Sequence, residues 1–311
     1  MRRKISTQKE ELPFPGGIPQ SQTPKKPKFR VLRPVWTENK AKLIERYLLY
    51  FVYITKHGTY IDGFAGPQKH DKPEMWAAKL VLESEPKWLR HFHLFDCDKE
   101  QINCLEALKR EQPQKIVKGK TRYLNKKGKT TYRDINIYHG DFNRRVHELL
   151  DSGSIGQKEA TFCLLDQRTF ECQWSTVRAL AEYKEGDENK VELFYFLPNS
   201  WQDRALAALK NEQILKDWWD REDWGELRSI GSQRRRDLFV SRFEEELGYT
   251  FVTPWPIYES PHGSRVMYYM IHATDHDQAP TQMARAYKNA VAPKETPEQL
   301  AIEFGIKEVP D

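Results

Sequence analysis

Gly58-Thr59-Tyr60-Ile61-Asp62-Gly63-Phe64-Ala65-Gly66-Pro67 joins a short apolar strand to an acidic turn with glycine at 63 and 66. Those glycines predict a backbone free to take positive φ and to approach a ligand closely, and Asp62 at the strand's end is placed to accept a hydrogen bond from a cationic or hydroxylated group. The same punctuation recurs downstream. His91-Phe92-His93-Leu94-Phe95 ends at Asp96 and is followed by a helical stretch from Gln101 to Arg110. Ile135-Asn136-Ile137-Tyr138-His139 runs into Gly140-Asp141, and Thr161-Phe162-Cys163-Leu164-Leu165 runs into Asp166. Each acid taken singly also suits a helix N-cap. Together Asp62, Asp96, Asp141 and Asp166 predict one cleft, because the ligand crevice of an open parallel sheet lies outside the carboxyl ends of its strands. Asp96, at the tip of the second strand, is placed to accept from both hydroxyls of a ribose.

Val191-Glu192-Leu193-Phe194-Tyr195-Phe196-Leu197 is a further apolar run, and the β-rich runs Thr250 to Tyr258 and Arg265 to Thr274 are joined by a hairpin connection, Glu259-Ser260-Pro261-His262-Gly263-Ser264. This pattern predicts an α/β, Rossmann-like sheet of about seven strands, the last one antiparallel. The closing hairpin resembles the class I S-adenosylmethionine-dependent methyltransferase architecture. The ordinary dinucleotide-binding fold lacks that hairpin, and the chain has no G-x-G-x-x-G segment.

Trp36-Thr37-Glu38-Asn39-Lys40 opens a helical stretch to about Tyr53. Together with Y-I-D-G-F-A-G-P from Tyr60 to Pro67, Gly140-Asp141-Phe142-Asn143, and Asp166 with Trp174 and Thr176 downstream, it resembles the three-Cys-motif partner family, methyltransferase-like proteins found beside a companion that carries a cysteine triad. The resemblance runs from Trp36 to Ala290. It departs where relatives read D-P-F-G or D-P-Y-G, here Asp166-Gln167-Arg168-Thr169, and where they carry a glycine, here Gln68; both departures fall at the expected cleft. The resemblance implies S-adenosylmethionine as cofactor. Asp62, Gly63, Phe64, Ala65 and Gly66 would border its methionine part. Asp96, beside Cys97, would take the ribose, Asp141 the adenine amino group, and Phe142 would be a flat apolar neighbour. It also implies a catalytic segment of Asp166, Gln167, Arg168 and Phe170, in which the acid accepts from an exocyclic amine, Phe170 stacks, and positioning drives in-line methyl transfer. The implied activity is methylation of nucleic acid at a base nitrogen. The alternative is a noncatalytic protein that keeps the fold and binds nucleic acid or the companion.

The 311 residues, with 50 Lys+Arg against 45 Asp+Glu and a net charge of +5, suit one large domain with insertions. Residues 1–34, which include Pro13, Pro15, Gly16, Gly17, Pro19 and Lys25-Lys26-Pro27-Lys28-Phe29-Arg30, read as a flexible basic arm. Residues 35–295 read as the methyltransferase-like domain, with insertions at 115–134 and 199–248, and residues 296–311 as a C-terminal tail. The longest apolar stretches fall short of the ~20 residues of a membrane span, and no apolar signal core follows the basic N-terminus, so a cytoplasmic protein without membrane association is expected. Cys97, Cys104, Cys163 and Cys172 lack paired C-x-x-C spacing, which indicates neither a metal site nor a disulfide framework. Cys163 is expected inside the sheet and Cys172 near the cleft.

Two segments point to a polyanion. From Lys115 to Arg133 the chain carries eight Lys and Arg residues and no acid, with Tyr123 and Tyr132 interleaved. This predicts a projecting hairpin tipped by Lys126-Lys127-Gly128-Lys129, next to the cleft, that offers Lys118, Lys120, Lys126, Lys127 and Lys129 to phosphates and the tyrosines to bases. Residues 199–248 read as helices rich in tryptophan, and Arg234, Arg235 and Arg236 within them are expected to face nucleic acid.

Overall fold

A computed structural model describes residues 34–186, 189–263, 265–292 and 295–306. The arm expected over residues 1–34 lies, apart from Pro34, outside the described residues. In chain order the elements are α1 (Lys40–Thr55), β1 (Gly58–Asp62), α2 (Ala77–Glu83), β2 (Leu89–Asp96), α3 (Lys99–Glu111), β3 (Gln114–Val117), β4 (Lys120–Tyr123), β5 (Asp134–His139), α4 (Phe142–Asp151), β6 (Thr161–Leu165) and α5 (Trp174–Glu182). There follow β7 (Glu192–Pro198), α6 (Gln202–Ala208), α7 (Glu212–Trp219), α8 (Ser232–Glu245), β8 (Phe251–Tyr258), β9 (Val266–Thr274), α9 (Ala279–Asn289) and α10 (Pro297–Glu303).

Seven strands form one sheet in the order β5-β2-β1-β6-β7-β9-β8, and β9 runs antiparallel to both β7 and β8 while the other neighbours are parallel. This is the α/β, Rossmann-like sheet of the methyltransferase type, with its hairpin folded so that the last strand lies inside β8. β8 is an edge strand, where Pro254 and Pro256 leave no central ladder short of a donor. Helices cover both faces, so β1, β6 and β7 are buried along their whole length and read as continuous apolar runs. Alternation along the strands separates the two faces. Ile61, Phe95, Cys163, Leu193 and Tyr195 join Phe142 of α4, Trp174 and Val177 of α5 and Phe239 of α8 in one core. On the other face Phe162 stacks with Tyr60, and Tyr47 of α1 packs against Phe162 and Phe194.

The insertion at 199–248 is helical and belongs to the core. Trp218 and Trp219 pack on Phe239 with ring centroids 4.8 and 5.2 Å apart, and the Arg242 guanidinium lies between Trp174 and Trp219 at 3.9 and 4.4 Å. The C-terminal residues are not a plain tail. Thr296 starts α10 with a capping box, Leu300 and Ala301 are buried, and Phe304 stacks on Tyr53 at 5.6 Å.

The basic insertion forms a separate two-stranded ribbon, β3-β4. Its tip is Lys118-Gly119, with φ of 51° and 73°, as a two-residue hairpin loop of the primed type requires. Lys126 to Lys129 belong to a second turn, built on Asn125, whose Oδ1 accepts from the Lys127 and Lys129 N–H groups at 3.0 and 2.9 Å. The ribbon is not next to the cleft. A segment inserted before a parallel strand emerges at that strand's amino end: β5 starts at Asp134, opposite His91, whereas its cleft end is His139, opposite Asp96. At about 3.3 Å per residue the two ends of β5 are about 17 Å apart. Among the described residues no helix is long and apolar enough to cross a membrane.

Candidate cofactor and acceptor cleft

Because the strand order reverses between β1 and β6, a crevice opens at the carboxyl ends of the parallel strands. It holds a cavity of about 660 Å³, within the usual range for small-molecule sites. Gly63, Phe64 and Gly66 line it together with Asp96, Cys97, Asp141 and Phe142; Asp166, Arg168 and Phe170 line the side expected for the acceptor, and Leu209, Ile214 and Asp217 of the inserted helical segment complete the wall.

Asp96 is the best-defined of the expected ligand groups. Gly66 N–H donates to its Oδ2 at 3.0 Å and Asp98 N–H to its Oδ1 at 2.9 Å, which fixes the carboxylate and leaves it lone pairs. Gly66 and Gly63 do not have positive φ. Close approach is what demands glycine here: a Cβ at Gly66 would fall 2.6 Å from Asp96 Oδ2 and 2.5 Å from Gln101 Cβ, and one at Gly63 would fall 2.9 Å from the Phe142 ring. Asp141 caps α4, its Oδ1 accepting from Asn143 N–H and Nδ2 at 3.1 and 3.0 Å. Asn143 in turn holds the loop after β6 through Glu171 O, Gln173 N–H and the Thr176 hydroxyl.

Two expected cofactor contacts are corrected, because both groups serve the turn and stay out of the cavity. Asp62 is 1% exposed and accepts from the Tyr60 hydroxyl at 2.8 Å and Phe64 N–H at 3.1 Å. Burial pushes its pKa up to about 7, against the pull of those two hydrogen bonds and with help from the nearby Asp166 and Asp96. Ala65 is buried, its N–H donating to Phe95 O and its carbonyl accepting from Trp76 Nε1. Phe142 is buried with its ring edge-on to Phe95, so Phe64, half-buried beside it at 5.9 Å, offers more ring to a ligand.

On the acceptor side the structure reveals a partner that the sequence reading missed. Lys40 Nζ lies 2.7 Å from both Asp166 oxygens, and Gln68 Nε2 donates to Oδ2 at 3.2 Å. Lys40 also sits over the Phe196 and Tyr268 rings at 4.8 and 5.0 Å. The available signal was positional: Lys40 precedes Leu43 and Ile44 by three and four residues, which places it on the apolar stripe of α1. Gln167 is corrected. It is buried, its Nε2 donating to Phe196 O and its Oε1 accepting from Cys172 N–H, so it braces the loop. Phe170 packs edge-on against Trp218 at 4.9 Å and is not free to stack on an acceptor. Cys172 is fully buried, not cleft-facing, and burial pushes its thiol pKa up. Arg168 is exposed in the cleft and makes no hydrogen bond among the described residues.

The three arginines do not form one surface. Arg235 is 1% exposed and donates to Gln202 Oε1, Leu227 O, Ile230 O and Asp203, whereas Arg236 is half-buried on Asp237 and Tyr269 and Arg234 is exposed. Lys118, Lys120, Lys126, Lys127 and Lys129 are exposed, but of the two tyrosines expected to stack on bases only Tyr132 is open and Tyr123 is buried.

No protein-family model matches the chain, and no curated protein matches it. Among solved structures, the crystal structure of a DUF574 family protein from Streptomyces avermitilis is 11% identical, with a TM-score of 0.39 over 76% of this chain and 82% of that one. The complex of Trm1 from Pyrococcus horikoshii with S-adenosyl-L-methionine is 13% identical, with a TM-score of 0.39 over 80% of this chain and 59% of that one. This chain thus spans under two thirds of the Trm1 length.

Proposed function

We propose that this chain is an S-adenosylmethionine-dependent methyltransferase of the three-Cys-motif partner type that acts on nucleic acid at a base nitrogen. The observation that carries this reading is Asp96. It is a carboxylate at the tip of the second strand, held by Gly66 and Asp98 N–H groups, with lone pairs left for a pair of vicinal hydroxyls at the head of the cavity. The remaining wall fits the same cofactor: backbone without side chains at Gly63 and Gly66 for the methionine part, and Phe64 with Asp141 for the adenine. When bound, the cofactor supplies an electrophilic methyl group.

The chain's own task is placement of the acceptor. Asp166, fixed by Lys40 and Gln68, keeps acceptor capacity for an exocyclic amine, since a carboxylate offers about four lone-pair sites. Arg168 at the mouth suits a phosphate, and Leu209 and Ile214 supply an apolar wall. Methyl transfer from a sulfonium needs in-line approach more than a strong base. The Asp166–Lys40 pair also favours a second reading, a noncatalytic protein that binds nucleic acid or its three-cysteine companion, because that pairing already engages one lone pair on each carboxylate oxygen.

Calorimetric titration with S-adenosylmethionine and NAD, followed by labelled methyl transfer to DNA, RNA and protein pools with and without the companion, tests these readings. Asp96→Ala is expected to weaken S-adenosylmethionine binding by roughly 5- to 150-fold, the cost of about 1–3 kcal/mol for unpaired hydroxyls. Unchanged affinity in a folded variant removes Asp96 from the site, and binding of NAD in place of S-adenosylmethionine overturns the reading. Cofactor binding without transfer to any pool, even with the companion present, favours the binding-only reading.

A further inference from the structure

The β3-β4 ribbon has a sidedness that its sequence did not reveal. Residues directly opposite in an antiparallel pair share a face, so the register Lys115↔Arg122 and Val117↔Lys120 gathers Lys115, Lys120 and Arg122 on one side, with Lys118 at the tip. Like charges directly opposite destabilise a ribbon. Here Lys115 faces Arg122, and among the described residues none of Lys115, Lys118, Lys120 and Arg122 has an ion-pair partner. Within β3 and β4 the basic face carries no aromatic ring, because Tyr123 belongs to the opposite face and is buried; the open Tyr132 belongs to the segment that follows the second turn. Single-strand binders combine cations with aromatic stacking platforms, whereas the two strands offer on this face three cations around Val117 and no ring. It is thus matched to phosphates, the contacts that position a nucleic acid without reading it. A two-stranded ribbon is also of a size that the groove of a double helix admits.

We propose that this ribbon face binds the phosphate backbone of double-helical nucleic acid, at a point remote from the cleft. The proposal rests on the nucleic-acid reading above and narrows its substrate class. The ribbon adjoins the amino end of β5, about 17 Å from the strand tips, which is about five base pairs of duplex rise. A dinucleotide, a single step of about 3.4 Å, reaches the cleft alone. A substrate with a helical arm reaches both, and the ribbon then holds the arm while the cleft receives a base from a loop or an end.

The experiment compares wild type with Lys115→Ala/Lys120→Ala/Arg122→Ala. Fluorescently labelled DNA and RNA duplexes of about 24 base pairs, and single-stranded dinucleotides, are titrated over a range of salt. The variant is expected to lose affinity for a duplex and to flatten its log–log salt slope by about 2–3, at roughly 0.9 per lost phosphate contact. The short strands are expected to bind both proteins alike, and the two duplex arms tell DNA from RNA. An unchanged slope on both duplexes overturns the proposal, as does an equal loss on the short strands. Loss of the three-cysteine companion alone, with duplex binding intact, assigns the ribbon to protein docking and also overturns it; Ile116, 70% exposed on the opposite face, is the residue such a partner would use. S-adenosylmethionine titration of the same two proteins is independent of the ribbon: its failure in wild type sinks the methyltransferase reading without altering the meaning of the salt slopes.

Discussion

Lys40→Met is expected to lower the free energy of unfolding by about 3–5 kcal/mol and to abolish the proposed methyl transfer. Lys40 and Asp166 are 3% and 8% exposed and 2.7 Å apart, so the ammonium is the charge partner of a carboxylate that water scarcely reaches. Without it, the side-chain hydrogen bond left to Asp166 among the described residues is the one from Gln68. Asp166→Ala creates the reciprocal fault, leaving an ammonium over the Phe196 and Tyr268 rings with no counter-charge, and a similar loss is expected. The double variant Lys40→Met/Asp166→Ala removes both charges and is expected to regain most of the stability and none of the activity. Urea denaturation of the four proteins gives the coupling energy directly. Additive losses would show that the pair does not form in solution, and turnover by folded Lys40→Met would show that the acceptor does not need Asp166 held this way.

Asp62→Asn is expected to gain stability relative to wild type as pH rises. Burial raises the Asp62 pKa from an ordinary 3.8 to about 7 in the fold. The folded state therefore holds this proton more tightly than the unfolded chain does. The resulting stability is fully present below about pH 4 and is lost as pH rises through 7. A shift of about three units corresponds to roughly 4 kcal/mol. Asparagine does not titrate, and its amide keeps a carbonyl for Phe64 N–H. The difference in unfolding free energy between variant and wild type should widen by up to about 4 kcal/mol between pH 4 and pH 8 and then level off. A difference that stays constant with pH would mean that Asp62 ionises in the fold as it does in the unfolded chain.

Asp62 also marks the limit of motif reading. It belongs to the most specific segment of the chain, yet its carboxylate serves the turn, bonded to residues two positions away on either side, while Asp96, in a less distinctive run, presents its carboxylate to the cavity. At Gly63 and Gly66 the φ expectation does not hold: neither φ is positive, and it is the ring of Phe142 and the carboxylate of Asp96 that leave no room for a Cβ.

The sequence by itself determined the strands, their Asp-bearing tips and the closing hairpin, and thereby the fold. Those signals are local: a strand covered on both faces must be apolar throughout, and the turn that ends it must carry residues that cap or bend. Only the tertiary structure decided which charges face water and at which end of the sheet each insertion emerges. Lys40 meets Asp166 across 126 residues, so no spacing rule joins them. In Arg234-Arg235-Arg236 successive helical residues point about 100° apart, and packing against Gln202 and the Leu227 and Ile230 carbonyls selects the middle one for burial. The basic ribbon leaves the sheet at the amino end of β5 because a parallel strand is entered from that end, a consequence of pairing between distant segments that the composition of the ribbon does not encode.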